Sequence, residues 1–223
     1  RDTIMGGKIF EDIQYKGDDL KKDLDEGSTY MKLFWEAATT FGWLVVATAA
    51  GGSSWAWALS YVVLMITFHG SQMNSLCFFK DMINGKTSVV HFALNMFAHV
   101  LGAIAAYTMA SQIGFAAPVA PAHGMSFSGF DWKMFFFGRE FWGIFLYIIF
   151  KEKANNQSGI PEQLWNMMIL AVAFMIGGAN FVFVPARMFT SFASFADAGL
   201  WCCFLSQVWA VVAACVVNQH VWV

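Results

Sequence analysis

Charge is what this sequence has least of. Aspartate, glutamate, lysine and arginine make up 13% of its 223 residues, against roughly 25% in soluble domains. Hydrophobic residues reach 58%, and the mean hydropathy is +0.53. An aqueous fold has no place for that surplus of apolar side chains. The charges are also unevenly placed, since 14 of the 28 precede Leu33. This pattern predicts an all-α integral membrane protein with a polar N-terminal arm over 1–32, a transmembrane domain over 33–218 and a short tail over 219–223. The net charge of -2 gives no electrostatic reason to bind nucleic acid. The expected surroundings are the lipid bilayer.

Other absences narrow the function. The four cysteines, Cys77, Cys202, Cys203 and Cys215, lie in or beside apolar segments without metal-ligand spacing, so they read as small buried residues. Neither Gly-Xaa-Ser-Xaa-Gly nor a phosphate loop occurs, which argues against an enzyme. Beyond Lys32 the lysines are Lys80, Lys86, Lys133, Lys151 and Lys153, none in mid-span, which disfavours a retinal Schiff base. Residues 1–32 lack the apolar core of a secretory signal. The arginine at position 1 is compatible with an upstream piece having been removed.

Six long apolar segments are present, roughly Leu33–Ala50, Ser54–Phe68, Val89–Ser111, Met134–Phe150, Trp165–Ala179 and Leu200–Asn218. A spanning helix needs roughly 20 such residues. The turn "GGSS" at 51–54 forces the first two into an antiparallel hairpin, and 112–133 and 151–163 are the main connections. Lysine and arginine collect in the inner loops (Lys80, Lys86, Lys151, Lys153) rather than outside (Lys133, Arg187). That bias predicts a multi-pass protein with both termini on the cytoplasmic-equivalent side. Two further apolar pieces, 70–79 and 184–195, are half a span long. The first holds the capping residue types Asn74 and Ser75, the second a proline suited to a first helical turn, Pro185. Two spans, a half-length helix and a third span thus occur twice, the pattern of an inverted repeat with broken helices.

These residues resemble the aquaporin (major intrinsic protein) family over nearly all of 30–218. "MKLFWEAATTFGWLVV" (31–46) and "AWALSYV" (56–62) resemble its first two spans. "GSQMNSL" (70–76) falls where the family has Gly-Ala-His-Leu-Asn-Pro-Ala. "FALNMFAHVLGAIAA" (92–106) is similar to the third span, with His99 in place of a usual glutamine. "GREFWGIFL" (138–146) places Glu140 at a buried glutamate, and "VPAR" (184–187) matches Asn-Pro-Ala-Arg after its first residue. "LWCCFLSQVWAVVAA" (200–214) resembles the sixth span, with Gln207 replacing a proline.

The resemblance implies six transmembrane helices and two re-entrant half-helices meeting near the midplane. It places the pore centre at Asn74, Ser75, Leu76, Val184, Pro185 and Ala186, and the outer constriction at Trp57, Val172, Phe181 and Arg187. His99 and Glu140 become buried structural residues. Glu36 has no evident counterpart and is expected near the interface, with Thr39 or Thr40 standing where the first half should carry its own glutamate. Val184 removes one of two amide donors, and two large aromatics narrow the constriction, so a fast water channel is not expected. Two readings carry nearly equal weight: a diverged channel for small neutral solutes, or a non-conducting structural subunit of a larger membrane complex. A pigment- or haem-binding subunit using His69, His91 or His99 is a third, and hydrogen-bonded core histidines are the plainer alternative. No cofactor is expected, and partners are a homotetramer or other membrane subunits.

Overall fold

Apolar runs set off by polar breaks become helices. The computed structural model describes residues 27–50, 53–68, 71–113, 132–154, 161–177 and 198–220, and every element among them is α-helical. They are α1 (Gly27–Ala49), α2 (Ser54–Thr67), the nine-residue α3 (Ser75–Ile83), α4 (Val89–Ile113), α5 (Trp132–Phe137), α6 (Arg139–Ala154), α7 (Glu162–Gly177) and α8 (Ala198–His220). α2 starts where Ser53 leaves the helical region and its hydroxyl accepts from the Ala56 amide at 3.1 Å, satisfying one orphan donor.

The boundaries differ from the apolar runs in two instructive places. α1 begins at Gly27, ahead of Leu33, because Thr29 is buried and the helix continues into its polar flank. The run over Met134–Phe150 divides at the buried Gly138 into α5 and α6.

Polarity is arranged with the polar side chains inward. Glu36, Thr39, Thr40, His99, Glu140, Ser206 and Gln207 are buried, while Leu59, Val63 and Ile66 of α2 and Leu164, Met168 and Met175 of α7 are exposed. Among the described residues two helices are long and apolar enough to cross a membrane, over Val89–Met109 and Trp201–Gln219, and Ser54–Thr67 and Leu164–Ile176 are shorter apolar helices. These features suggest membrane association.

The packing repeats. α1 packs on α2 and α4; α6 packs on α7 and α8. The two groups meet where α2 lies on α7, and α3 packs on both α4 and α8. α1 and α4 approach most closely at Gly102. A Cβ there would fall 2.3 Å from the Ala37 carbonyl oxygen and 3.0 Å from the Thr40 Cβ, so only glycine fits without moving a backbone.

Candidate functional site

The short helix α3 is introduced by residues 71–74, whose non-helical backbone must find partners inside the protein. Met73 adopts a φ of 49°, a left-handed conformation unusual for a residue with a side chain. Glu36 holds it there. One carboxylate oxygen accepts from the Gln72 amide at 2.9 Å, the other from the Met73 amide at 3.0 Å. The Tyr61 hydroxyl donates to the Gln72 carbonyl. Asn74 then caps α3, its side-chain oxygen accepting from the Leu76 amide at 3.0 Å. The other half of the same side chain, the Asn74 Nδ2, is buried with no hydrogen-bond partner among the described residues.

His99 connects this loop to Glu36. Its Nε2 lies 2.9 Å from Glu36 Oε2, and its Nδ1 lies 2.9 Å from the Ser75 hydroxyl. A carboxylate only accepts, so the ring proton on Nε2 faces Glu36. Glu36 is therefore a buried carboxylate, 6% exposed. The Thr39 hydroxyl donates back to the Trp35 carbonyl at 2.6 Å.

The second group of helices has a matching contact, in which Gln207 Nε2 of α8 donates to Glu140 Oε2 of α6 at 2.8 Å. The neighbouring Arg139 points outward and caps α7, donating to the carbonyls of Ile176 (2.7 Å) and Met175 (3.2 Å). A cation at a helix C-terminus also suits the helix dipole.

Trp57 is buried in a group of rings. Trp43 lies edge-on to it at 5.4 Å and edge-on to Tyr61 at 5.0 Å, and Phe174 is 5.9 Å from Trp57 and 6.1 Å from Trp43. The Trp43 indole also donates to the Trp57 carbonyl at 2.9 Å. Replacing Trp43 with phenylalanine removes that bond while keeping a ring, and is expected to cost about 1 kcal/mol in a denaturant titration of the solubilised protein. Val172 is not part of this group. It is 43% exposed, and the α7 side chain that reaches Trp57 is Phe174, two residues on. On a helix two positions turn the side chain by roughly 200°, from the outer face to the inner one.

Ser75 and Leu76 are buried at the start of α3, as is His99. His91 sits at the start of α4, where its amide donates to the Ser88 hydroxyl at 3.1 Å. Phe181, Val184, Pro185, Ala186, Arg187 and His69 lie outside the described residues. Sequence reasoning missed Glu36, Trp43 and Tyr61 as site residues. The signal for Glu36 was available, since an acid inside an apolar run is a functional candidate by default.

At the far end of α3, Lys80 pairs with Glu152 of α6 and with its neighbour Asp81 at 3.4 Å. Glu152 lies in the polar connection. Burial works to raise its pKa, but the Lys80 hydrogen bond and the charges of Lys80, Lys86 and Lys151 outweigh this and lower it. Its contribution to stability is thus present above the ordinary carboxylate range and fades as pH falls through the lowered value.

Among the described residues no group of three His, Cys, Asp or Glu side chains could hold a metal ion. No protein-family model matches the chain, and no curated protein matches it either.

Proposed function

We propose that this chain is a diverged, aquaporin-like membrane protein of six spanning helices and two re-entrant half-helices, with a closed interior, serving as a structural subunit of a larger membrane assembly. The observation that carries this reading is the ring group around Trp57. From Trp57, at the expected constriction, rings continue through Trp43 to Tyr61, whose hydroxyl occupies the Gln72 carbonyl two residues before Asn74. These rings fill space at Trp57, and the Gln72 carbonyl already has a donor, which supports a closed interior. The repeated helix packing and the paired contacts Glu36–His99 and Glu140–Gln207 support the inverted repeat.

The second reading, a channel for small neutral solutes, is favoured by one observation, the buried Asn74 amide that has no partner among the described residues. A buried donor without a partner costs roughly 1–3 kcal/mol, and a passing oxygen could satisfy it.

Stopped-flow light scattering on reconstituted liposomes separates the two. The structural reading expects water, glycerol, urea and ammonia to cross no faster than in empty vesicles. It also expects the Trp43→Ala, Tyr61→Ala double variant to raise water permeability. Wild-type flux above the empty-vesicle rate for any of these solutes, from a stable isolated homotetramer, decides for the channel. Migration of the native protein in a complex with different subunits decides for the structural role.

A further inference from the structure

Outside the loop around Asn74, one nucleophilic cluster has no part in the reading above. Cys77 and Lys80 are three residues apart on α3 and share a face. They meet the consecutive residues Lys151 and Glu152 of α6. The Lys80–Glu152 ion pair fixes the register of this seam. It leaves the Lys151 ammonium 3.9 Å from the Cys77 sulfur and 5.7 Å from the centre of the Tyr147 ring. On its other side the Cys77 sulfur lies 3.7 Å from the Tyr147 hydroxyl. Cys77 is 2% exposed, so bulky thiol reagents are kept out. A thiol beside a cation is in the setting that favours oxidation. A primary amine in contact with the sulfur gives the oxidised form something to join.

We propose that Cys77 and Lys151 form a redox-reversible N–O–S bridge between α3 and α6 when the protein meets hydrogen peroxide. The net step consumes the neutral amine, the thiol and two molecules of peroxide, and yields the bridge and three molecules of water. One N–H bond, the S–H bond and both O–O bonds break, and one N–O and one O–S bond form. The sulfur and nitrogen lose two electrons each, and these four electrons reduce the four peroxide oxygens, of which three leave as water and one stays in the bridge. Lys151 first gives up its ammonium proton to solvent, a step that the neighbouring Cys77 sulfur opposes by raising the amine's pKa, so the bridge forms faster as pH rises. Two equivalents of dithiothreitol supply the four electrons that reverse the link, restoring amine and thiol and releasing the bridging oxygen as water.

The test treats the purified full chain with hydrogen peroxide and follows its intact mass and proteolytic peptides. The expected result is a gain of about 14 Da, one oxygen gained and two hydrogens lost, distinct from the roughly 16 Da of a sulfenic acid. It should map to a linked pair of peptides containing Cys77 and Lys151 and disappear with dithiothreitol. Cys77→Ser and Lys151→Arg should each abolish it, the second keeping the positive charge. A gain of 16 or 32 Da confined to the Cys77 peptide, a disulfide, or no modification of wild type overturns the proposal. The wild-type peptide map decides the matter even if a variant fails to fold.

Discussion

Replacing Glu36 with alanine should unfold the protein at markedly milder conditions, with a loss of about 3–5 kcal/mol. The reason is what the carboxylate leaves behind. Two backbone amides, Gln72 and Met73, and the His99 ring all direct hydrogens at it. Met73 and His99 are buried, and an orphaned buried donor costs roughly 1–3 kcal/mol. Met73 would in addition lose the contact that keeps it in the left-handed region. Glu36→Gln should cost less, since its amide keeps one accepting oxygen but turns a donor toward another donor. Thermal unfolding in detergent, with protease cleavage near 71–74 as a local readout, checks both. A stability loss under 1 kcal/mol for the alanine variant would falsify the bracing role.

Gly102→Leu is expected to be as damaging by a different route. Its Cβ alone would press 2.3 Å from the Ala37 carbonyl oxygen, a backbone atom that cannot rotate away. Either α1 and α4 separate, or α1 shifts along its axis and carries Glu36 off His99. Overpacking a well-filled contact costs about 1–3 kcal/mol, and a clash with backbone belongs at or beyond the upper end. Gly42→Ala is the control: its new methyl would meet only the Leu64 side chain, at 3.8 Å, and should be nearly neutral. Comparing the unfolding midpoints of the two variants at equal expression is the measurement. Equal midpoints would show that the α1–α4 contact is looser than the geometry requires.

Features that depend on neighbours in the chain were legible in advance. The N-cap role of Asn74 needs only an amide two residues away, and the helices follow from apolar runs and their breaks. The bracing role of Glu36 was not legible because its partners are 36, 37 and 63 residues distant, and nothing local announces them. Val172 was placed by the family resemblance, which fixes a position along α7 but not its rotation; the buried face of α7 carries Ala171 and Phe174. Trp43 and Tyr61 were hidden among many aromatics. Composition cannot say which rings fill the interior and which face outward.

The two buried glutamate contacts have a consequence for assembly order. Glu36–His99 joins α1 to α4, and Glu140–Gln207 joins α6 to α8, so each clasp closes entirely within its own stretch of chain. Residues 27–113 can bury Glu36 before α6 has been synthesised, while Lys80 of α3 gains its partner Glu152 only once α6 is made. The contacts that span the two stretches, α2 on α7 and α3 on α8, then form between pieces already shaped. Two separately expressed fragments, cut between α4 and α5, should accordingly reassemble when made in the same membrane.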